Sequence, residues 1–142
     1  MAKAKHQRTT SIDNTIEQLK IEQETILNAY TQITLIEISR IKELTLKNDI
    51  LMHNRISYSK SKLIELAENI ANLAKENTGI LGTGLLNPVM LRNNNGILER
   101  IHGENRIKAV KLNGVSTIPA IILENVSDEL ARFMRSSENL NR

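Results

Sequence analysis

The chain has 142 residues, of which 40% are apolar and 25% are charged, a balance typical of a single globular domain. It contains no cysteine, which excludes disulfide bonds, thiolate metal sites and a cysteine nucleophile. No apolar run approaches the roughly 18–20 residues that span a bilayer, and the basic start lacks the apolar segment of a signal peptide. We therefore expect a cytoplasmic protein that does not enter a membrane.

The first 32 residues differ in character from the rest of the chain. Residues 1–12 are polar and basic, and from Asp13 apolar residues recur at spacings of three, four or seven. This spacing predicts a helix that reaches about residue 30. We interpret residues 1–32 as a basic tail with an N-terminal helical arm, and residues 33–142 as one mixed α/β domain.

The first half of that domain combines a strand, an irregular stretch and a helix. Residues 34–39 alternate as a strand does, and residues 40–58 show no regular pattern. Ser59 is a good N-cap for a helix. The apolar side of this helix is predicted to carry Leu63, Leu66, Ile70 and Leu73. Three glycines between residues 79 and 84 then predict a flexible loop.

The second half begins with a predicted hairpin. Strands over 88–92 and 96–101 are joined through Asn-Gly, whose residues tolerate the positive φ of a tight turn. Helices are predicted over 104–113, ending at Gly114, and from Ser127 to about residue 137, with a strand over 117–123 between them. Pro119 favours the edge of the sheet, or a late start, for that strand, because proline cannot donate to a ladder.

Residues 102–111 carry the clearest chemical signal. Gly103 ends a strand, and Glu104, Asn105 and Arg106 open a helix. A helix start presents unpaired backbone N–H groups and a partial positive charge, and an arginine there can add a bidentate contact. The turn therefore predicts a site for a phosphorylated ligand such as a nucleotide. The alternative is an ordinary first turn in which Glu104 interacts favourably with the helix dipole.

Basic residues are concentrated in the same region. The cluster consists of Arg100, His102, Arg106, Lys108 and Lys111. It would attract a polyanion, either a nucleotide or a nucleic-acid backbone. A solvated helix face explains the two lysines equally well.

Four blocks stand in order between residue 33 and the final arginine. They are His53-Asn54-Arg55 with Tyr58 and the segment 63–70, Gly-Leu-Leu-Asn-Pro-Val-Met-Leu-Arg at 84–92, the stretch 102–120, and Glu-Asn-Leu-Asn-Arg at 138–142. In this order they resemble the N-terminal domain of the ParB bacterial partition proteins. That family has Gly-Glu-Arg-Arg in the third block, so Asn105 stands in place of an arginine.

The resemblance implies a mixed α+β fold of the ParB N-terminal or sulfiredoxin-like type, with a small mixed sheet flanked by helices after the N-terminal helix. It also implies a site for CTP with Mg²⁺. The nucleotide-binding residues would be Arg55, Gly103, Glu104, Asn105, Arg106 and Asn139. Glu138 would hold the metal, and Glu104 would take part in hydrolysis as the catalytic residue. Sulfiredoxin activity is excluded because it needs a cysteine in the corresponding turn.

The function implied is a CTP-dependent switch domain in plasmid or chromosome partition, with DNA as a partner, self-association and a possible CTPase activity. One alternative is a Mg²⁺-dependent nuclease that uses Glu104 and Glu138. Another is an adaptor whose basic tail, with Lys3, Lys5 and Arg8, recruits a ParA-like partition ATPase. A typical partition protein continues into a helix-turn-helix domain, so a chain ending at Arg142 is either a fragment or a stand-alone relative.

Overall fold

The computed structural model of the chain describes residues 11–29, 32–46 and 58–140. Within these ranges it contains four α-helices and one five-stranded mixed sheet, which confirms the mixed α+β fold. The helices are α1 (Ser11–Ala29), α2 (Lys60–Lys75), α3 (Glu104–Leu112) and α4 (Asp128–Leu140). The strands are β1 (Thr34–Glu37), β2 (Ile41–Glu43), β3 (Val89–Asn94), β4 (Ile97–His102) and β5 (Thr117–Leu123). Short 3₁₀ turns cover Ile38–Arg40 and Ile80–Gly82.

The sheet has the strand order β1-β5-β3-β4-β2. β3 and β4 form the predicted hairpin, and their turn places Asn95 and Gly96 at φ values of 55° and 90°. The pairs β3–β5 and β2–β4 are parallel, whereas β1 runs antiparallel to β5. The parallel neighbours β3 and β5 need a crossover connection, and the chain makes it through β4 and α3.

Helices cover both faces of the sheet. On one face α2 and α3 contribute Ile70 and Val110 to a core that includes Leu91. On the other face Met134 of α4 packs in a second core that includes Met90. Leu91 and Met90 are neighbours in β3 and point to opposite faces, as the period of two in a strand requires. β3 is therefore the buried centre of the domain.

Two predictions about the sheet were wrong. β2 lies within the stretch 40–58 that was predicted to be irregular, because three residues are too few to show an alternating pattern. Pro119 lies in an interior strand that begins at Thr117, and not at an edge or at a late start. The sheet tolerates this proline because the parallel ladder with β3 begins one residue later, at Ala120.

The glycine-rich segment 79–84 is folded and not an open loop. The backbone N–H of Ile80 donates to the carbonyl oxygen of Leu85 at 2.8 Å, and that of Gly84 donates to Thr78 at 2.8 Å. A Cβ on Gly84 would lie 2.1 Å from the carbonyl oxygen of Ile70 in α2. The glycines therefore allow close packing against α2, and the prediction of a flexible loop is replaced by a compact one.

The remaining predictions about the helices hold where the structure describes them. Ser59 caps α2, since its hydroxyl accepts a hydrogen bond from the Lys62 N–H at 3.3 Å. Ser127 caps α4 in the same way, with the Leu130 N–H at 3.1 Å. α1 contacts β5 and α4. In the described part of the chain, no helix combines the length and the apolar character needed to cross a membrane.

Candidate functional site

The turn between β4 and α3 is built around Gly103. This residue has φ of 113° and ψ of 21°, and its carbonyl oxygen accepts the first helical hydrogen bond, from Ile107 N–H at 2.9 Å. A Cβ at this position would lie 2.5 Å from Cγ1 of Val89. Only glycine combines this backbone conformation with this close approach. The glycine that sequence analysis singled out is therefore required by the geometry of the turn.

A β-bulge precedes the turn. Met90 of β3 is opposite His102, but Leu91 is opposite Arg100, so Ile101 is the extra residue on β4. Its carbonyl oxygen accepts a hydrogen bond from Nε of Arg135 at 3.1 Å, and Nη2 of Arg135 donates to the carbonyl oxygen of Arg100. A buried arginine of α4 thus donates hydrogen bonds to both backbone carbonyl groups at the bulge.

Arg106 in the first turn of α3 borders a cavity of about 490 Å³ between α2 and residues 84–87. Its Nη1 donates to the carbonyl oxygens of Pro88 at 2.7 Å and Asn87 at 3.3 Å. Asn69 and Asn72 of α2 also line the cavity, and most of the remaining wall is leucine and isoleucine. The cavity is apolar with a few polar groups, as ligand pockets usually are.

Glu104 lies between two cations. Its Oε2 is 2.7 Å from Nζ of Lys108, and its Oε1 is 3.8 Å from Nη2 of Arg100. The Glu104 side chain is 13% exposed. Arg100 itself is buried and also pairs with Glu43 of β2. The carboxylate at the start of α3 therefore has its charge compensated within the domain.

Asn105 is buried and takes part in a contact that holds a distant segment. Its Oδ1 accepts a hydrogen bond from the backbone N–H of Tyr58 at 3.2 Å. Tyr58 stands three residues after Arg55, which lies outside the described residues. Asn105 thus fixes the start of α2 to the first turn of α3.

Glu138 and Asn139 belong to the last turn of α4. Their side chains lie outside the described part of the structure. The helix runs in the same direction as β4. Asp128 at its start contacts Arg92, which is opposite Glu99 of β4, whereas the carbonyl oxygen of Met134 accepts a hydrogen bond from Nε2 of His102 at the end of β4 at 2.7 Å. Because Met134 is level with the end of β4, the backbone of Glu138 continues toward the end of the sheet where α3 begins.

The structure separates the members of the basic cluster predicted from the sequence into residues bonded within the domain and exposed lysines. Arg100 is buried in ion pairs, His102 bonds to α4, and Arg106 bonds to the backbone before β3. Lys108 and Lys111 are exposed on α3. The cluster is therefore not one continuous cationic surface.

Sequence analysis missed the amide side chains of the cavity and the ion-pairing role of Arg100. The amide side chains could have been identified from their spacing of three residues, which places Asn69 and Asn72 on one side of α2. For Arg100 a signal was present: Glu99 and Arg100 are adjacent opposite charges inside a strand flanked by Leu98 and Ile101. Among residues 11–29, 32–46 and 58–140, no group of three or more His, Cys, Asp or Glu side chains could hold a metal ion.

The model of the ParB N-terminal domain family matches residues 22–140. The chain is 46% identical over 59 residues to the probable plasmid-partitioning protein ParB of Xylella fastidiosa, covering 42% of this chain and 14% of the relative. It is 37% identical over 70 residues to the stage 0 sporulation protein J of Bacillus subtilis. This match covers 49% of this chain and 24% of the relative. The matches thus span at most about a quarter of these relatives.

Solved structures show the same fold at low identity. A C-terminally truncated ParB from Caulobacter crescentus, complexed with CTP-gamma-S, aligns with a TM-score of 0.57 and 19% identity over 78% of this chain and 53% of that one. Sulfiredoxin from Arabidopsis thaliana aligns with a TM-score of 0.52 and 22% identity over 72% of this chain and 96% of that one. The Caulobacter ParB complexed to the centromeric parS site aligns with a TM-score of 0.54 and 17% identity. This alignment covers 77% of this chain and 48% of that one. Since the family model covers most of the sequence, the chain belongs to the ParB N-terminal domain family.

Proposed function

We propose that this chain is a CTP- and Mg²⁺-binding switch domain that acts in plasmid or chromosome partition. The observation that carries the proposal is Arg106, which lies in the glycine turn of the family and borders a cavity of about 490 Å³. A related ParB was solved with CTP-gamma-S, which supports the choice of nucleotide.

The residues around the cavity fit a nucleotide. Leucine and isoleucine side chains provide apolar walls for a base, and Asn69 and Asn72 can donate and accept hydrogen bonds at its edge. Arg106 and the start of α3 provide positive charge for the phosphates. Asn105 adds no charge, and its side-chain amide oxygen accepts a hydrogen bond from the backbone N–H of Tyr58. Phosphate affinity in this domain therefore depends on one guanidinium of the turn, with Arg55 and Asn139 as further proposed contacts.

Mg²⁺, when bound, would neutralise phosphate charge and orient the triphosphate. Glu138 is the proposed metal ligand, and Glu104 is the proposed catalytic residue for CTP hydrolysis. Glu104 is paired with Lys108, whose side chain is 48% exposed and can move into solvent. The side chain of Glu104 thus stays close to the first turn of α3, whereas Lys108 can leave the ion pair.

DNA and self-association belong to the same proposal. One related ParB was solved with the centromeric parS site, which supports DNA as a partner of the family. We place the protein in the cytoplasm, associated with the nucleoid or a plasmid. The basic tail and helical arm at residues 1–32 are the proposed contact for a ParA-like ATPase.

Calorimetry with CTP, ATP, GTP and UTP in Mg²⁺ buffer tests the proposal. We expect heat of binding with CTP and weaker binding with the others. Absence of heat with all four would contradict the proposal. Incubation of plasmid DNA in the same buffer, with Glu104→Gln as control, tests the nuclease alternative, since Glu104-dependent cleavage would favour it.

A further inference from the structure

Among the described residues, Lys108 and Arg100 are two cations that lie beside Glu104, and their surroundings differ. Lys108 follows Glu104 by four residues on α3, and its side chain is 48% exposed. Arg100 approaches from β4 with a side chain that is only 4% exposed. Water and salt screen an exposed pair strongly and a buried one much less. Arg100 is therefore the cation whose charge acts on Glu104 mainly through the protein interior, although it is the more distant of the two.

The sheet fixes the position of the Arg100 guanidinium. Arg100 is the register partner of Glu43 in the parallel pair β2–β4. Its Nη2 lies 2.6 Å from Oε1 of Glu43, and its Nε lies 3.3 Å from Oε2. Two contacts from one planar fork define both the place and the orientation of the group. The guanidinium would thus remain near Glu104 without any contribution from Glu104 itself.

We propose that Arg100 is a positioning residue for Glu104. It stabilises the charged carboxylate and holds it against the first turn of α3, and Glu43 orients Arg100 for this role. The consequence for nucleotide binding rests on the proposed function, whereas the effect on the carboxylate does not. A purely structural Arg100 would join β2 to β4 through Glu43 and would leave the protonation of Glu104 unchanged.

The carboxylate is tested first, in the full chain without nucleotide. The pH midpoint of the Glu104 carboxyl ¹³C resonance is followed by NMR in the wild type and in Arg100→Met, with Lys108→Met as the matched control. We expect Arg100→Met to raise the midpoint by about one pH unit, because the nearby opposite charge that favours the carboxylate is lost. Lys108→Met is expected to give a smaller rise that disappears in about 1 M salt.

Two results would overturn the assignment. They are an unchanged midpoint in folded Arg100→Met and a larger rise in Lys108→Met than in Arg100→Met. If Arg100→Met does not fold, Arg100→Gln decides the question, because it keeps a hydrogen-bond donor for Glu43 but carries no charge. We expect the Glu104 midpoint to rise in this variant as well, and no change would overturn the proposal.

Binding of CTP with Mg²⁺ is measured next, in a double-mutant cycle with Arg100→Met and Glu104→Gln. Loss of Arg100 removes the buried cation beside Glu104 and leaves only the exposed Lys108 pair, so more negative charge faces the triphosphate and we expect affinity to fall about fivefold to tenfold. In the Glu104→Gln background the same change is expected to cost less than about twofold. Equal losses in both backgrounds would show that Arg100 does not act through Glu104 and would overturn the proposal. If the wild type binds no CTP, the proposed function fails while the NMR result still tests Arg100.

Discussion

Two arginines near the hairpin have opposite surroundings. Arg92 in β3 is almost fully buried and has its donors directed to Glu99 at 2.8 Å, Asp128 at 2.8 Å and the carbonyl oxygens of Thr45 and Val126. Arg106 is only partly buried and borders a cavity large enough for a ligand.

The difference shows that burial of a charge does not by itself indicate function. The Arg92 cluster connects two strands, the start of α4 and the segment after β2, and its partners are all groups of the protein. Arg106 donates to the backbone carbonyls of Asn87 and Pro88, and its side chain also lines a cavity. We therefore propose that the Arg92 cluster stabilises the fold and that Arg106 binds a ligand, and the following variants test that division.

The largest effect is expected for Arg92→Met. Removal of one partner of a buried ion pair leaves the Glu99 carboxylate, whose side chain is 5% exposed, without its compensating charge. We expect the free energy of unfolding in urea to fall by about 3–5 kcal/mol. The double variant Arg92→Met/Glu99→Met should recover part of the loss. An unchanged midpoint of urea unfolding would remove the structural assignment of this cluster.

Gly103→Ala should have the next largest effect, because it affects the turn on which the candidate site depends. The variant combines an unfavourable positive φ with a Cβ pressed against Val89. We expect a loss of about 2–4 kcal/mol in thermal or urea unfolding. Gly96→Ala serves as the control, since a Cβ there meets nothing within 4 Å despite a φ of 90°. If the two variants lose the same stability, the close approach at Gly103 has no energetic importance.

Arg106→Gln should separate binding from stability. Loss of charge-assisted contacts to phosphate is expected to weaken CTP·Mg²⁺ binding by about 1.5–3 kcal/mol, measured by calorimetry. The free energy of unfolding should change by only about 1 kcal/mol, since the hydrogen bonds lost are to carbonyl oxygens near the surface. Lys111→Gln, on the exposed part of α3, controls for net charge. Equal affinities of the Arg106 and Lys111 variants would show that the site is misplaced.

The smallest effect concerns α2, which forms one wall of the cavity. Ser59→Ala removes the N-cap hydroxyl that accepts from Lys62, and we expect a loss of about 1 kcal/mol in stability. Ser61→Ala, two residues into the helix, should change stability by less than about 0.5 kcal/mol. A similar loss in both would indicate that the cap does not define the start of α2.

The sequence was sufficient to predict elements whose signals are local. The Asn-Gly turn, the Ser59 cap and the Gly103 turn each depend on residues within a few positions of one another. β2 and the interior location of Pro119 could not be predicted in this way, because both follow from pairing between distant strands. The cavity has the same origin, since residues from α2, the glycine segment and α3 meet there only after folding.

The candidate site divides along the same line. Sequence reasoning proposed Gly103, Glu104 and Arg106 because they lie within four positions of one another in a single turn. The adjacent charges of Glu99 and Arg100 were a local signal of buried ion pairs, but the sequence could not identify Glu43 as the partner of Arg100, since 57 residues separate the two. The structural use of Asn105, as the acceptor for Tyr58, was equally hidden by a separation of 47 residues.

The bulge at Ile101 has a mechanical consequence. Arg135 attaches α4, on one face of the sheet, to the carbonyl groups of Arg100 and Ile101, and the peptide units that follow lead into α3 on the other face. A rotation of α4 about its own axis would therefore pull directly on the strand end from which α3 starts. The two hydrogen bonds of Arg135 thus connect a helix on one face of the sheet to the strand end that leads into a helix on the other face.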